Sequence, residues 1–317
     1  MGNLPEARVN PSFCFKTSGL DFAGPFEVKI HTLRRAQIVK CYICLFVCFA
    51  TKAIHIEVVS DLSTDTFIAA LTRFISRRGV PSDLYLDNAT NFVGASNHLN
   101  KVIKTLIQNE STKSKLHDLS SEYSIKFHFI PPSAPHQGGI WESGVKSMKT
   151  HLKKVIGNRI LTQEEFQTVC TRIEAILNSR PLCPLSTDPS EIEVLTPGHF
   201  LIGRPMVALP ELNYEELPLN RLKRWQAVQS ITQQLWKRWK IEYLHTLQQR
   251  AKWVTHHPNL EINDLVLLHG NSPPQSWPLG RIIATHPGTD GVTRVVTVRT
   301  SNGVFKRPVV KVSPLPK

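Results

Sequence analysis

The stretch IVKCYICLFVCFATKAIHIEVVSDLSTDTFIAALTRFISRRGVPSDLYLD (38–87) decides the fold. Its first segment, Ile38 to Phe49, is an apolar run rich in β-branched, aromatic and Cys residues. Its most apolar part, Cys41 to Ala50, is about half the roughly 20 residues a membrane-spanning helix needs and suits a fully buried strand. Ala53 to Val59 alternates with period two and predicts a further strand. Asp61-Leu-Ser-Thr-Asp65 is a capping cluster that opens a helix through Phe67, Leu71, Phe74 and Ile75, and Gly79-Val-Pro81 ends it. Leu84-Tyr-Leu86 is a short buried strand running straight into Asp87.

Working outward, Phe13 to Phe22 reads as a strand carrying Asp21. Glu27 to Ile30 pairs with the apolar run as a hairpin across the basic turn Leu33-Arg34-Arg35. Three strands, a helix and a strand predict an α/β fold with a mixed sheet. Downstream, a helix is expected between Ser96 and Asn109, a polar loop over Ser111 to Ser121, and a strand over Ser124 to Ile130. The Pro/Gly-rich loop Pro131 to Gly139 follows. Helices are then expected over Ile140 to Ile156 and Thr162 to Leu177, the second opened by a Thr162/Glu165 capping box.

Composition shifts after Arg180. Arg180 to Leu219 is Pro-rich and reads as a connector, Asn220 to Arg250 as a long basic helix. Short strands follow over Leu265–His269, Trp277–Ala284, Thr293–Thr300 and Val304–Val312. Their spacing predicts a small β-barrel or sandwich.

The chain has 317 residues, 38 Lys+Arg against 25 Asp+Glu and a net charge of +13. That balance makes a polyanion the leading partner, nucleic acid ahead of a membrane surface. Six cysteines are too few for a disulfide scaffold and predict a reducing compartment, and no secretory stretch opens the sequence. Cys41-x-x-Cys44 lies in a strand pattern, where residues three apart point to opposite faces. With no second ligand pair at zinc spacing, it reads as core.

The chemistry signal lies in three carboxylates. Asp21 is on the first strand, Asp87 ends a buried strand, and Glu142 is in the first turn of the helix after the Pro/Gly loop. In an α/β sheet, ligands bind beyond the strand ends. Three converging carboxylates would bind hard cations through oxygen, Mg²⁺ or Mn²⁺. The bland reading leaves Asp21 capping a strand, Asp87 in an Asx-turn and Glu142 at a helix N-terminus. Lys146, Lys149 and Lys153 continue the Glu142 helix face, with Lys154 and Arg159 nearby. This makes either a DNA-contacting rail or a solvated face opposite Val145, Met148, Leu152 and Ile156. The aromatics Trp225, Trp236, Trp239 and Tyr243 of the long helix read as packing rather than base stacking. Arg281, Arg294, Arg299, Lys306, Arg307, Lys311 and Lys317 make the terminal module a plausible non-specific DNA binder.

LDFAGPF (20–26), LDNATNFVGA (86–95), HFIPPSAPHQGGIWESGVKSMKTHLKKVIG (128–157), ILNSRPL (176–182) and LTPGHFLIGRP (195–205) together resemble the integrase of Bel/Pao-type long-terminal-repeat retrotransposons. RLKRWQ, LWKRWKIEYLHTLQQRAKW and WPLGRI are similar to the small domain that follows the core in that group. The resemblance implies a ribonuclease-H-like core, a helical connector and an SH3-like C-terminal β-barrel. Residues 1–10 would be a leader, 11–205 the catalytic domain with trailing helices and connector, 206–257 a basic helical linker and 258–317 the β module.

It further implies that Asp21, Asp87 and Glu142 are the catalytic ligands of two Mg²⁺ or Mn²⁺ ions. Lys146, Lys149, Lys153, Lys154, Asn91 and His136 would then contact DNA. The implied activity is metal-dependent 3′-end processing and strand transfer by a DDE-type polynucleotidyl transferase. Double-stranded DNA and further copies of the chain would be the partners, and the nucleus, otherwise the cytoplasm, the location. Leu86 and Ala89 depart from the family pattern. The family's His/His/Cys/Cys zinc module is expected to be absent, since the sequence begins too close to the core. An inactive retroelement-derived DNA-binding protein is the alternative, and a free-standing ribonuclease-H-like nuclease a third reading.

Overall fold

A computed structural model describes residues 6–33, 35–86, 96–97, 125–129, 149–157, 159–186, 188–248 and 259–316. After a one-turn helix α1 (Glu6–Val9), the order is β1 (Thr17–Lys29), β2 (Ile38–Cys48), β3 (Ile54–Val59), α2 (Thr64–Arg78), β4 (Asp83–Leu86), β5 (Lys126–Phe129), β6 (Leu161–Thr162) and α3 (Gln163–Asn178). The chain divides into two compact units, Met1–Glu174 and Ala175–Lys317, and the division falls inside α3.

The first unit is built on a mixed sheet in the order β3-β2-β1-β4-β5, with β6 also on β1. β1, β2 and β3 pair antiparallel, while β4 runs parallel to β1, β5 to β4 and β6 to β1. The expected mixed sheet is therefore present. Every residue from Ile43 to Cys48 is buried. β2 is thus covered on both faces, so its sequence is an unbroken apolar run rather than an alternation. Phe74 of α2 stacks on Phe46 with ring centroids 4.2 Å apart. α2 begins where the capping cluster placed it, with Ser63 as N-cap accepting from the Thr66 N–H at 3.3 Å. α3 carries the predicted box: the Thr162 N–H donates to Glu165 Oε2 at 2.8 Å, and the Glu165 N–H to Thr162 Oγ1 at 3.3 Å.

One expectation needs correction. The two strands read over Phe13–Phe22 and Glu27–Ile30 are a single strand, β1. Gly24-Pro25 reads as a break, yet a bulge between Ala23 and Phe26 absorbs both residues. A bulge takes up an extra residue and tolerates a proline without a ladder N–H. Gly24 has no alternative there: its φ is +152°, and a Cβ would lie 2.5 Å from the Tyr42 ring.

An ionic cluster fastens β3 to α2 and α3. The buried His55 ring bonds Glu57 Oε1 through Nε2 at 2.8 Å. Glu57 also pairs with Arg73 at 2.7 Å and with Arg77. Glu174 accepts the Ile56 N–H at 2.8 Å and pairs with Arg78 at 2.5 Å. Burial lowers the His55 pKa against the raising effect of Glu174. Burial pushes Glu174 up, but His55, the Ile56 N–H and Arg78 outweigh it, and the net direction is down.

Both groups thus bind protons more weakly folded than unfolded, so stability is lost as pH falls. Hydrogen-exchange protection of the β3 amides is expected to decline below pH 6.5, the ordinary His value, and further below 4.5, the ordinary Glu value. His55→Gln should remove the first part of that decline and leave the second. Protection unchanged between pH 7 and 4 contradicts this.

The second unit contains a two-stranded ladder of β7 (Cys183–Pro184) and β8 (Val194–Leu195), then α4 (Pro197–Ile202) and the 24-residue α5 (Arg224–Leu247). The Pro-rich connector is therefore partly structured. β9 (Leu265–Leu268), β10 (Leu279–Pro287), β11 (Thr293–Thr300), β12 (Gly303–Pro308) and β13 (Val312–Pro314) form an antiparallel sheet in the order β12-β11-β10-β9-β13. The segment Val304–Val312, expected as one strand, divides: β12 ends at Pro308, and a 3-10 turn Val309–Lys311 leads into β13. Proline lacks the N–H that would continue the ladder.

Val266, Ile282, Val296, Val298 and Val312 form one core, and Leu244, Leu265, Leu267 and Leu315 another. Gly280 lies where a Cβ would meet Val298 Cγ1 at 2.3 Å and the Arg299 carbonyl at 3.0 Å. Gly280→Ala is expected to cost ~1–3 kcal/mol by overpacking, read as a lower thermal midpoint by Trp fluorescence. An unshifted midpoint counts against this packing.

Candidate functional site

Asp21 sits on β1, the strand between β2 and β4. It opposes Leu45 of β2, and its partly exposed carboxylate accepts the Phe22 N–H at 2.7 Å. Its charge adds to burial in pushing the Cys44 thiol well above its ordinary range. Strand alternation puts Asp21 on the same sheet face as Gly19. Gly19 opposes Tyr85 of β4, and Tyr85 opposes His128 of β5.

That face carries chemistry that sequence reading passed over. His128 Nε2 lies 2.7 Å from Asp83 Oδ1. The Tyr85 and His128 rings stack at 4.5 Å, and Phe49 stacks on Tyr85 at 5.0 Å. The polar positions of DLYL and KFHF were the available signal, but which of them meet depends on a register between strands some 40 residues apart in sequence.

Asp87 follows Leu86, the last residue of β4. Asp87, Asn91, His136, Glu142 and Lys146 lie outside the described residues. Among the described residues, no group of three or more His, Cys, Asp or Glu could hold a metal ion. Residues 149–156 are helical, with Leu152 and Val155 buried, Lys153 and Lys154 exposed and Lys149 half-buried. Cys41 and Cys44 are both buried, in keeping with a core reading.

In the second unit, Trp236, Trp239, Tyr243 and Trp277 form one aromatic cluster. Trp277 meets the other three rings at 4.8, 5.8 and 5.4 Å. Trp236 Nε1 donates to the Ser272 carbonyl at 2.8 Å, and Trp277 Nε1 to Ser179 Oγ at 3.2 Å. Tyr243 donates to the Pro181 carbonyl. Trp236, Trp239 and Tyr243 of the helix thus pack, as expected, whereas Trp225, expected to pack with them, is 57 % exposed.

The basic module needs revision. Arg281 is only 5 % exposed and donates to the Asp188, Glu191 and Asn263 carbonyls at 2.7–3.1 Å. Arg294 pairs with Asp290 at 2.6 Å, and Arg299 donates to the Pro189 carbonyl at 2.7 Å. Lys240 of α5 is buried and donates to the Gly270 carbonyl and Ser272 Oγ at 2.7 and 2.9 Å. Lys306, Arg307 and Lys311 remain exposed.

None of the described helices is long and apolar enough to cross a membrane. A family of unknown function, DUF5641, matches residues 223–315. No curated protein matches the chain. Among solved structures, the chain is similar to one from a simian T-cell lymphotropic virus intasome in complex with the PP2A regulatory subunit B56 gamma. That match is at 11% identity, covers 100% of this chain and 84% of the other, and has a TM-score of 0.38.

Proposed function

We propose that the chain is a polynucleotidyl transferase of the DDE integrase type, acting on DNA ends with Asp21, Asp87 and Glu142 as its metal-binding acids. The observation that carries this reading is the parallel register of β1 and β4, in which Thr17, Ser18 and Gly19 oppose Asp83, Leu84 and Tyr85. Two residues further along the sequence from Gly19 and Tyr85 come Asp21 and Asp87. Extended by that step, the register would bring the two residues opposite each other on neighbouring strands, whose backbones run roughly 4.8 Å apart. A sheet ordered β3-β2-β1-β4-β5, antiparallel on one side of β1 and parallel on the other, is what a ribonuclease-H-like core requires. The last-first-second-third-fourth order of the terminal sheet, with a 3-10 turn before its final strand, supports an SH3-like reading of that module.

The donor set fits hard cations, since all three ligands offer carboxylate oxygen and Asp21 is partly exposed. When bound, two Mg²⁺ or Mn²⁺ ions would supply Lewis-acid stabilisation of charge on the attacking and leaving oxygens. The chain's own residues would hold the DNA. Lys149, Lys153 and Lys154, with Lys146, Asn91 and His136, would neutralise and orient phosphates beside the acids. The substrate argues for a nuclear protein, and joining two element ends argues for a multimer.

The test is incubation of the protein with labelled duplex ends and Mg²⁺ or Mn²⁺, with EDTA as control. Metal-dependent nicking or joining supports the enzyme. Tight binding with no product assigns the chain to the inactive DNA-binding class.

A further inference from the structure

We propose that Cys14 and Cys48 form a redox-active dithiol that closes to a disulfide when the protein meets a peroxide-class oxidant. The inference is independent of the integrase reading. Cys14 and Cys48 come together around Thr51. Thr51 touches both: its Oγ1 lies 3.3 Å from Cys14 Sγ, and its N–H donates to Cys48 Sγ at 3.5 Å. The Phe15 N–H donates to the same Cys48 sulfur at 3.1 Å. Phe15 adopts φ +63°, a left-handed conformation unusual for a bulky residue, with its ring buried 5.2 Å from Phe74. Surroundings that hold such a conformation fix the neighbouring Cys14 as well. Cys14 lies three residues before β1, and Cys48 is the last residue of β2, opposing Ser18 in the β1–β2 register. Closing the bridge therefore joins segments that lie together in the reduced protein.

The two sulfurs differ in the way a stepwise oxidation needs. Cys14 is partly exposed, whereas Cys48 is 0 % exposed. Cys14 beside it and the Thr51 and Phe15 donors, against the effect of burial, hold Cys48 below the ordinary thiol range, while Cys48 and burial push Cys14 up. Entry is therefore at Cys14. The Cys48 thiolate takes the Cys14 proton as the Cys14 sulfur attacks the peroxide, forming an S–O bond and breaking O–O; the hydroxide that departs takes that proton back from Cys48 and leaves as water. The Cys48 thiolate then attacks Cys14 Sγ, forming S–S and breaking S–O, and hydroxide leaves to be protonated by solvent. Two thiols and one peroxide give one disulfide and two waters. Cys44 and Cys170 are buried, and burial pushes both thiols well up.

The test treats the reduced full-length protein with hydrogen peroxide, blocks remaining thiols and maps the tryptic peptides by mass spectrometry. The expected product links the peptide of residues 9–16 to that of residues 41–52. Fragmentation should locate the bond at Cys48, with Cys41, Cys44, Cys170 and Cys183 still thiols, and dithiothreitol should reverse it. In Cys48→Ser, dimedone should trap a sulfenic acid on Cys14; in Cys14→Ser, Cys48 should stay reduced. The wild-type link needs no variant to fold. Its absence, a link through another cysteine, over-oxidation of Cys14 without a link, or a dimedone adduct on Cys48 overturns the proposal.

Discussion

Asp21→Asn is expected to lower metal-dependent strand transfer at least ~10³-fold while leaving duplex affinity within about threefold. The same holds for Asp87→Asn and Glu142→Gln. The substitution keeps the shape of the side chain and its ability to accept the Phe22 N–H seen at 2.7 Å, so the strand has no reason to shift. It removes one negative charge from the site that would hold the cations. A metal contributes several kcal/mol of transition-state charge stabilisation, and about 4 kcal/mol corresponds to ~10³ in rate. DNA affinity comes mainly from lysines and arginines meeting phosphates, and Asp21 is not one of those groups. Strand-transfer assays beside fluorescence-anisotropy binding separate the two quantities. Full activity in Asp21→Asn excludes the carboxylate from the chemistry. Parallel loss of activity and binding points to a damaged sheet instead, which circular dichroism detects.

How legible this was from sequence depends on whether the deciding contact is local. The run Ile43–Cys48 reads as a doubly covered strand because burial on both faces leaves no polar position to interrupt it. The caps of α2 and α3 read correctly because each is a bond between residues three apart. β1 reads wrongly as two pieces because Gly24-Pro25 carries a strong break signal, and only the Tyr42 ring packed against Gly24 shows it to be a bulge.

Asp21 could be picked out as a carboxylate on a strand. Its neighbours on that face, Tyr85 and the Asp83–His128 pair, could not, since they depend on the β1–β4 and β4–β5 registers. His55, Glu57 and Glu174 escaped notice for the same reason, being brought together from two elements, with Glu57 and Glu174 117 residues apart in sequence. Charge counting failed most plainly at Arg281, where a basic residue in a basic module is consumed by three backbone carbonyls.

That last point sharpens what DNA binding should look like. Affinity for duplex DNA is expected to fall by roughly 10³–10⁵ between 50 and 200 mM salt if six to ten phosphates are contacted. The 13 excess positive charges do not by themselves predict this, because several cations already have protein partners. Lys240 and Arg281 are buried against carbonyls, and Arg294 is neutralised by Asp290. Lys153 and Lys154 are exposed on the turn opposite Leu152 and Val155, and Lys149 lies one turn earlier.

If each of these three meets one phosphate, replacing all three with Ala lowers the log–log salt slope by about 2.7. The affinity gap between variant and parent then narrows about 40-fold from 50 to 200 mM salt, because fewer counterions are released on binding. Arg294→Ala, which removes one positive charge from an ion pair already made, should leave the slope unchanged. Measuring the slope rather than a single Kd is what distinguishes phosphate contact from a general loss of positive field. A flat salt response in the parent protein removes DNA as the partner. A slope that drops equally for Arg294→Ala and for the individual lysine variants removes the helix at 149–156 as the place where it binds.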